Sequence, residues 1–463
     1  MPSHPDANDS YHAILTRRGA TEILLHANPP GWALPHVEIQ KQQRVAEQLT
    51  KEIRKAWGLE TFCLLVPPLG APGLSRDTHS AVLECVKQNQ APPAGTCWMP
   101  VSASLECCGS EEAATIRNAF AELASHTAGE KPGPFAKPSW LRELFRWVYE
   151  QIAPLGTRLT GNFQQFNASP TFSLVRLETD GAALWFKATG EPNAHELPIT
   201  LLLSDLFPKH LPRILGMHTS WNGWLSAEAE GVPLDELTDC SSWERAAEGL
   251  AELQIASIGR AAELVDGGCK DRRLPLAARQ IDRFVTRMGA FMRAQEKPTP
   301  TPLTGTELLS LGEGLKEAFS LFESFGLPDT LGHLDCNPGN LIVSQEGCIF
   351  LDWAEAAVTN PVITFEYLRR YMEKCGIEEL AADARITAAY LRPWASFFSP
   401  EDLLRAIAAA PPIAVFLHAV AGEAWRTLDP VSNPGLAAYF RSLTRRMYRD
   451  AVSAVERSER CLN

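Results

Sequence analysis

The sequence HLDCNPGN at residues 333–340 decides which fold this chain is expected to have. The apolar segment 341–343, a turn and a second apolar segment follow it, and Asp352 comes next. Phosphoryl transfer needs a carboxylate that orients and deprotonates the attacking hydroxyl, and an amide and a second carboxylate that hold Mg²⁺ on a nucleoside triphosphate. The H-x-D-x-x-x-x-N spacing supplies these groups in that order. We therefore predict that Asp335 receives the substrate proton and that Asn340 and Asp352 bind Mg²⁺.

A structural alternative exists for the same residues. The Asp-x-x-x-x-Asn sequence is compatible with a plain polar loop, and Asp352 with a helix N-cap before Ala354 and Glu355. An eight-residue match is weak evidence by itself. The second Asp, placed after a strand, a turn and a strand, favours the catalytic interpretation.

The two motifs resemble those of the aminoglycoside phosphotransferase and choline kinase-like family, in which H-G-D-x-x-x-x-N is followed by an apolar residue and D-F or D-W. The resemblance runs from about Pro154 to the C-terminus in the order of its elements. It implies a two-lobed, protein-kinase-like α+β fold, ATP or GTP as phosphate donor, and Mg²⁺ as cofactor. Leu334 replaces the family's common Gly, from which we expect altered loop packing rather than lost activity. His333 matches the family's histidine that braces the catalytic loop, which implies a structural role.

The resemblance also implies a cation that grips the triphosphate and an acidic partner that orients it. Lys187, in the strand-like sequence LWFKA, stands well upstream, as the family requires, and Glu196 begins the helix-like segment 196–205. A surface lysine at a strand end is the alternative for Lys187. Its order relative to the other groups favours the nucleotide-binding role.

Two more segments are expected to touch the nucleotide. The sequence GNFQQFN at 161–167 corresponds to the family's nucleotide-covering loop, with Gly161 near the phosphates; a plain turn is the alternative. The third strand and the interlobe hinge are expected over 224–234, with the backbone of Glu228 and Ala229 at the purine. Side chains do not distinguish adenine from guanine there.

The phosphate acceptor stays open at this stage. Aminoglycosides, choline-like amines, sugars, amino acids and other hydroxylated metabolites all fit the scaffold. Glu355 and Glu366 could face a cationic substrate or lie on an exposed helix face. The family often has an Asp downstream that ties down the catalytic loop, and Thr364 stands in that region here.

The first part of the chain resembles a Nudix domain. The sequence GWALPHV at 31–37 and the helix-like stretch ending at Gly58 follow the Nudix pattern, and Glu52 matches a motif glutamate. The paired metal-binding glutamates, however, fall on Lys55 and Ala56. Because those glutamates hold the divalent ions, we predict a non-hydrolytic domain that serves as a scaffold or ligand sensor. Other motif positions are also substituted, by Val37, Gln43 and Lys51.

Apolar periodicity predicts the secondary structure. Strands are expected over 11–15, 22–27, 61–66, 80–86, 97–101, 172–177, 182–188, 223–229, 341–343 and 348–351, and early helices over 40–57, 111–125 and 139–152. We predict a Nudix-like domain over 1–130, a linker and connecting helix over 131–155, and a kinase domain over 156–463. Its N-lobe would span 156–232 and its C-lobe 233–463. The overall class is α+β.

Composition limits the classes of partner. A net charge of −12 over 463 residues argues against nucleic acid as the main partner and leans slightly toward amines as substrates. The eleven cysteines are scattered without a CxxC pair, which favours reduced thiols. The N-terminus has no signal-peptide pattern, and the apolar stretch 406–420 is interrupted by Pro411 and Pro412, so we expect no membrane association and a cytoplasmic location. Oligomeric state is not readable from the sequence.

Three functional hypotheses follow. The first is a small-molecule kinase that transfers the γ-phosphate to an alcohol. The second is a nucleotide-binding pseudokinase that acts as a regulatory or interaction module, which the glycine-poor loop over 161–167 and the degenerate Nudix motif favour. The third, an active N-terminal enzyme, is disfavoured by the substitutions at its metal-binding positions.

Overall fold

The computed structural model describes residues 8–41, 44–67, 79–377 and 381–461. The chain divides into two compact units. The first contains residues 1–197 and 213–228, and the second contains residues 198–212 and 229–463. The chain thus leaves the first unit for the last time between Glu228 and Ala229.

The N-terminal part of the first unit is a mixed sheet with helices. Its strands run in the order β3-β2-β1-β6-β5, with β4 also paired to β1 and β7 to β2; only the pairing of β1 with β6 is parallel. The elements are β1 (Asn8–Arg17), β2 (Glu22–Asn28), β3 (Gly31–Ala33), β4 (His36–Gln40), α1 (Val45–Trp57), β5 (Thr61–Leu65), β6 (His79–Cys85), β7 (Thr96–Pro100), α2 (Val101–Cys107), α3 (Ser110–Thr127) and α4 (Trp140–Ile152).

The remainder of the first unit is an antiparallel sheet in the order β11-β12-β10-β9-β8. Its strands are β8 (Leu159–Ala168), β9 (Ser173–Thr179), β10 (Leu184–Ala188), β11 (Ile214–His218) and β12 (Gly223–Ala227). Trp140 of α4 lies between the two sheets, with its ring centroid 5.4 Å from that of Phe62 on β5 and 5.8 Å from that of Phe186 on β10. The two sheets therefore share one hydrophobic core. The proposed domain boundaries near residues 130 and 155 stay predictions.

Local chemistry explains where the first helix begins and ends. The predicted helix over 40–57 is wrong at its start, because residues 36–40 form β4 and pair with β1. Val37 and Ile39 are buried while their neighbours are exposed, which is the alternation of a strand. The helix ends as predicted at Gly58, whose φ of 63° is left-handed and whose amide donates to the carbonyl oxygen of Arg54. The predicted strand over 97–101 ends at Pro100, and α2, which was not predicted, begins there.

The second unit is mainly helical. Helix α5 (Glu196–Leu206) begins in the first unit and continues into the second. The following elements are β13 (Val232–Pro233), α6 (Cys240–Ala256), α7 (Ala261–Asp266), β14 (Lys270–Asp271), α8 (Leu274–Ala278), α9 (Ile281–Arg293), α10 (Gly305–Ser324), β15 (Thr330–His333), β16 (Leu341–Val343), β17 (Cys348–Phe350), β18 (Ala356–Thr359), α11 (Pro361–Met372), α12 (Ala382–Trp394), α13 (Pro400–Ala419), α14 (Ala424–Thr427) and α15 (Pro434–Cys461). The α+β class is confirmed.

Two small sheets carry the segments of interest in the second unit, in the orders β13-β16-β17 and β14-β18-β15. Gly231, just before β13, has φ of 130°, and a Cβ there would lie 2.4 Å from the carbonyl oxygen of Val343 on β16. A side chain at this position would force β13 away from β16, so glycine permits the pairing.

Helix α13 differs from the expectation for residues 406–420. It continues through Pro411 and Pro412 as one helix instead of breaking there. It packs into the core of the second unit, where Phe416 contacts Phe284 and Phe319 edge to face. In the described part of the chain it is the one helix long and apolar enough to cross a bilayer, and 61% of its most apolar window is buried inside the protein.

Candidate active site

The loop over 333–340 leaves β15 and turns sharply. The amide of Asn337 donates to the carbonyl oxygen of Asp335 at 2.7 Å, and the side chain of Asn337 accepts from the amide of Gly339 at 3.1 Å. These bonds start a short 3-10 turn at Pro338–Asn340. The Nδ2 of Asn340 then donates to the carbonyl oxygen of Asp335 at 3.2 Å and to its Oδ2 at 3.4 Å. The predicted base and the predicted amide ligand are therefore neighbours.

Asp352 is joined to the same loop through the backbone. The amide of Leu351 donates to the carbonyl oxygen of Asn340 at 2.8 Å, at the end of the β16–β17 hairpin. Asp352 has φ of 63° and ψ of 67°, a left-handed conformation that non-glycine residues adopt rarely. Its side chain makes no capping hydrogen bond to the 3-10 turn at Trp353–Glu355, so the structure does not support the N-cap alternative. Unusual backbone conformations of this kind concentrate at functional sites.

His333 links the start of the loop to the residue before Asp352. It is buried, and its Nε2 donates to the carbonyl oxygen of Leu351 at 2.7 Å. Its ring also packs against Trp353, with centroids 4.6 Å apart. The backbone amide of His333 donates to the Oγ1 of Thr364 at 3.2 Å. Thr364 thus ties down the strand that precedes the loop.

The donor set of this loop is compatible with Mg²⁺. Asn340 and Asp352 offer an amide oxygen and carboxylate oxygens, the hard ligands that Mg²⁺ prefers, and such sites usually complete the coordination with waters and substrate phosphates. Across the described residues, no three His, Cys, Asp or Glu side chains gather in a way that could hold a metal ion by themselves. A site of one carboxylate and one amide would depend on the phosphates for further ligands.

Lys187 and Glu196 are brought together in the first unit. The Nζ of Lys187, on β10, donates to the Oε1 of Glu196 at 2.5 Å, and Nζ lies 5.7 Å from the centroid of the Trp224 ring. Glu196 is 1% exposed and Lys187 14%. A carboxylate this buried requires a compensating cation, so Glu196 holds the ammonium group of Lys187 in a fixed position. Asp335, Asn340 and Asp352 all belong to the second unit.

The amide and the carboxylate of Glu228 both have partners within the first unit. The amide of Glu228 donates to the carbonyl oxygen of Ala183 at 3.0 Å, so it is already used inside the first unit. Its carboxylate accepts two bonds from Arg176, at 2.6 and 3.1 Å, and one from the Nε1 of Trp185 at 3.2 Å. The bond from Arg176 holds the pKa of Glu228 below its ordinary value. Purine binding by the backbone of Glu228 and Ala229 stays a prediction.

The predicted nucleotide-covering loop is wrong as a loop. Residues 161–167 lie inside β8, where Gly161 has φ of 91° at an irregularity in the pairing with β9. The buried side chain of Gln165 donates through Nε2 to the carbonyl oxygen of Cys63 at 2.9 Å. Its Oε1 accepts from the backbone amide of Cys63 at 2.7 Å. Gln164 donates to Glu47 of α1 at 3.0 Å. Gln165 thus links β8 to β5 of the other sheet, and Gln164 links β8 to α1. A phosphate-binding role for Gly161 stays a prediction, although the segment that motivated it is a strand.

The connection between β8 and β9 is the turn at 169–172, which the sequence reasoning missed. The Oγ of Ser169 accepts from the amide of Phe172 at 2.9 Å, and Thr171 lies against Gly190, where a Cβ would come within 2.5 Å of the Thr171 Cβ. The sequence Ser-Pro-Thr between two alternating segments was the available signal. The turn is thus packed beside the chain that follows Lys187.

Glu366 does not face a substrate. It is buried and accepts from Arg370 at 2.6 Å and from Arg369 at 3.0 Å, although its burial raises its pKa. Glu355 pairs with Lys270 at 2.6 Å and is partly exposed. Of the two glutamates suggested for a cationic substrate, only Glu355 has access to solvent.

Tyr371 and His418 are electrostatic neighbours of Asp335 that the sequence did not indicate. Burial raises the pKa of Tyr371, and the charge of Asp335 raises it further. Burial lowers the pKa of His418, while Asp335 and Glu355 oppose that shift. The Nε2 of His418 lies 2.6 Å from the hydroxyl oxygen of Tyr439. The side chains of Tyr371 and His418 therefore both lie within electrostatic range of Asp335.

Three of the residues compared with the Nudix motif, Lys51, Glu52 and Lys55, lie on α1. Glu52 accepts from Lys55 at 3.4 Å on the solvent side of this helix. A cation therefore occupies the neighbourhood where a metal-binding glutamate would stand. Gln43 lies outside the described residues.

No protein-family model and no curated protein matches the chain. Solved structures similar to it include the macrolide 2'-phosphotransferase MphH from Brachybacterium faecium, at 18% identity and a TM-score of 0.42, covering 61% of this chain and 95% of that one. An ethanolamine kinase from Plasmodium vivax is 14% identical, with a TM-score of 0.44 and coverage of 67% and 87%. An aminoglycoside phosphotransferase from Alicyclobacillus acidocaldarius is 14% identical, with a TM-score of 0.42 and coverage of 64% and 92%. At these identities and TM-scores, the activities named are those of the similar proteins alone.

Proposed function

We propose that the chain is a phosphotransferase that uses Mg²⁺ and ATP or GTP to phosphorylate a hydroxyl of a small molecule. The observation that carries the proposal is the hydrogen-bonded arrangement of one loop. Asn340 bonds to Asp335 through its side chain and receives the amide of Leu351 on its carbonyl oxygen. Hydrogen bonds thus connect the proposed base, the proposed amide ligand and the segment that carries Asp352, which supports a role in phosphoryl transfer.

Each group has a proposed role. Asp335 orients the acceptor hydroxyl and receives its proton, and Asn340 and Asp352 hold the metal ion that neutralises charge on the triphosphate. Lys187, oriented by Glu196, contacts the α and β phosphates. His333 and Thr364 hold the loop in place. This assignment goes with a two-lobed, protein-kinase-like domain of the aminoglycoside phosphotransferase and choline kinase-like family over 156–463.

Nucleotide binding is the direct test. Thermal unfolding of the purified full-length protein is measured with ATP and with GTP, each with and without Mg²⁺, for wild type and Asp352→Ala. Asp205→Ala, at an exposed position of α5, is the matched control. We expect a Mg²⁺-dependent rise in melting temperature in wild type and control and its loss in Asp352→Ala. Absence of any rise with either nucleotide in the wild type contradicts the proposal.

A nucleotide-binding pseudokinase is the second candidate. It is favoured by the position of Gly161, Gln164 and Gln165 in β8, which leaves the predicted phosphate-covering segment occupied with contacts to Cys63 and Glu47. The same experiment separates the two functions. A rise in melting temperature that is independent of Mg²⁺ and persists in Asp352→Ala, with no phosphate transfer to any acceptor, would establish the pseudokinase.

The remaining assignments are part of the proposal. We propose a cytoplasmic protein without nucleic acid or membrane partners, with a non-hydrolytic Nudix-like N-terminal domain over 1–130. The presence of Lys55 beside Glu52 supports the lack of hydrolysis. Hydrolysis of a nucleoside diphosphate derivative by the Asp335→Asn full-length protein would contradict it. Amines are the first acceptors to screen. The reason is that Glu355 is a partly exposed acid whose charge, like that of Asp335, acts on His418.

A further inference from the structure

An open cavity on the second unit is lined by arginines and lies outside the proposed catalytic loop. Its volume is about 490 Å³, and its walls come from α9 and α14. Four arginines line it, together with the buried Trp425 and a single acidic side chain, Asp282. They are Arg283, Arg287, Arg293 and Arg426. A concentration of guanidinium groups is unexpected in a chain with a net charge of −12, where a random surface would be acidic.

Two of these arginines are structural. Arg287 donates through Nε to the carbonyl oxygen of Trp425 at 3.3 Å and also to that of Leu428. Arg426 donates to Gln280 at 2.7 Å and pairs with Glu423. These backbone bonds hold the guanidinium of Arg287 in place, and the carboxylate of Asp429 lies within electrostatic range of it. Arg287 therefore contributes a cation at a fixed position whose charge Asp429 offsets in part.

The other two arginines are available to a ligand. Arg283 and Arg293 are exposed, and the ion pairs of the described part of the chain give neither a carboxylate partner. Asp282, the acidic residue of the wall, is engaged by Lys316 at 2.6 Å. Ten residues separate the two arginines on α9, which corresponds to about 15 Å along the helix axis. The cavity, which we call the trough, therefore runs along α9, with Arg287 between Arg283 and Arg293. Arg426, which bonds to Gln280 at the start of α9, lies toward the Arg283 end.

We propose that this trough, defined by Arg283, Arg287, Arg293, Arg426 and Trp425, binds a small polyanion with at least two phosphate or carboxylate groups. The planar guanidinium fork matches both kinds of anion in bidentate geometry, which a lysine cluster would not do. A volume of about 490 Å³ suits a small molecule. The aromatic wall supports the cations as well, because the guanidinium carbons of Arg283 and Arg426 lie 5.9 and 5.0 Å from the Trp425 ring centroid.

The test is direct titration of the full-length protein with tripolyphosphate and with citrate, by calorimetry at low salt and without Mg²⁺. The variant is Arg283→Ala/Arg293→Ala, since both side chains are exposed and alanine preserves the helix. The matched control is Arg117→Ala/Arg146→Ala, which removes the same charge from exposed helix positions of the first unit. A second control, Lys187→Ala/Glu196→Gln, separates the trough from the proposed nucleotide site without leaving the buried carboxylate of Glu196 unpaired.

We expect at least one of the two anions to bind the wild type and both controls equally well. The Arg283→Ala/Arg293→Ala variant should bind it at least about tenfold more weakly. Binding of tripolyphosphate alone identifies a phosphate ligand, and binding of citrate alone a carboxylate ligand. Binding that is lost in Lys187→Ala/Glu196→Gln but kept in Arg283→Ala/Arg293→Ala overturns the proposal, as does equal binding by all variants. The proposal is also overturned if neither anion binds the wild type.

Discussion

The amide of Leu351 donates to the carbonyl oxygen of Asn340 at 2.8 Å, and this bond fixes the backbone next to Asp352 against the loop that carries Asn340. It joins the end of the catalytic-type loop to the residue before Asp352. Because Asn340 also bonds to Asp335 through its side chain, a displacement of any one of the three groups would disturb the other two. The site is thus expected to behave as a unit in mutational experiments.

Asp335→Asn tests the catalytic role. Asparagine keeps an oxygen that can accept from Asn340 but cannot receive a proton, so the loop should stay intact while turnover falls about 10²–10⁴-fold. The measurement is nucleoside diphosphate release with an acceptor found by screening hydroxylated metabolites. The nucleotide-induced rise in melting temperature should persist. Near-full turnover in this variant would mean that Asp335 is not the base.

The Lys187–Glu196 pair allows a double-mutant cycle on stability. Lys187→Met leaves a carboxylate that is 1% exposed without its ammonium, and we expect the free energy of unfolding to fall by about 3 kcal/mol. Glu196→Gln in the same chain should recover about 1 kcal/mol or more, because the buried charge is gone. Urea denaturation of the wild type, both single variants and the double variant measures the coupling. Strict additivity would show that the pair is energetically unimportant.

Thr364→Val tests whether Thr364 braces the strand before the proposed catalytic loop. Valine has nearly the same shape but no oxygen to accept from the buried amide of His333, so we expect a loss of about 1–3 kcal/mol in stability. Turnover should fall as well, since the loop follows directly. Thr364→Ser keeps the hydroxyl and is the control. A serine variant with turnover as low as that of the valine variant would exclude this hydrogen bond as the reason.

The buried Glu84 predicts a pH dependence of stability. Its Oε2 accepts from the amide of Ser139 at 2.6 Å, while burial raises its pKa. A raised pKa in the folded state stabilises the fold below the unfolded value of 4.5, and this contribution is lost as the pH rises through the folded value. Glu84→Gln remains neutral throughout. Its stability relative to wild type should therefore increase as the pH is raised from 4.5 to 7.

Urea denaturation at several pH values measures that difference. The control is Glu143→Gln, at an exposed position of α4, which should show little change with pH. A constant difference between Glu84→Gln and wild type over the whole range would contradict the prediction.

Part of the site could be predicted because its residues are close in sequence. Asp335 and Asn340 are five residues apart, and a turn of that length brings their side chains together without help from distant segments. The β16–β17 hairpin is equally local, so Asp352 follows Asn340 by a short return of the chain. The pairing of Lys187 with Glu196 needed only a strand followed by a helix.

Tertiary contacts decided the rest. Residues 161–167 contain turn-forming types, but β8 continues through them because Gln165 finds the backbone of Cys63, 102 residues earlier in the chain. Glutamate is usually exposed, but Glu366 is buried and accepts hydrogen bonds from Arg369 and Arg370. These contacts give it a structural role. The arginine trough joins α9 to Trp425 and Arg426, about 140 residues further on.

The sequence by itself determined the α+β class, most of the early strands and the local geometry of the loop over 333–340, because these depend on periodicity and on side chains a few residues apart. Tertiary structure alone decided which polar side chains are buried, which amides are already hydrogen-bonded, as at Glu228, and where cations collect. The physical reason is that burial and long-range hydrogen bonding are set by partners that no local pattern specifies.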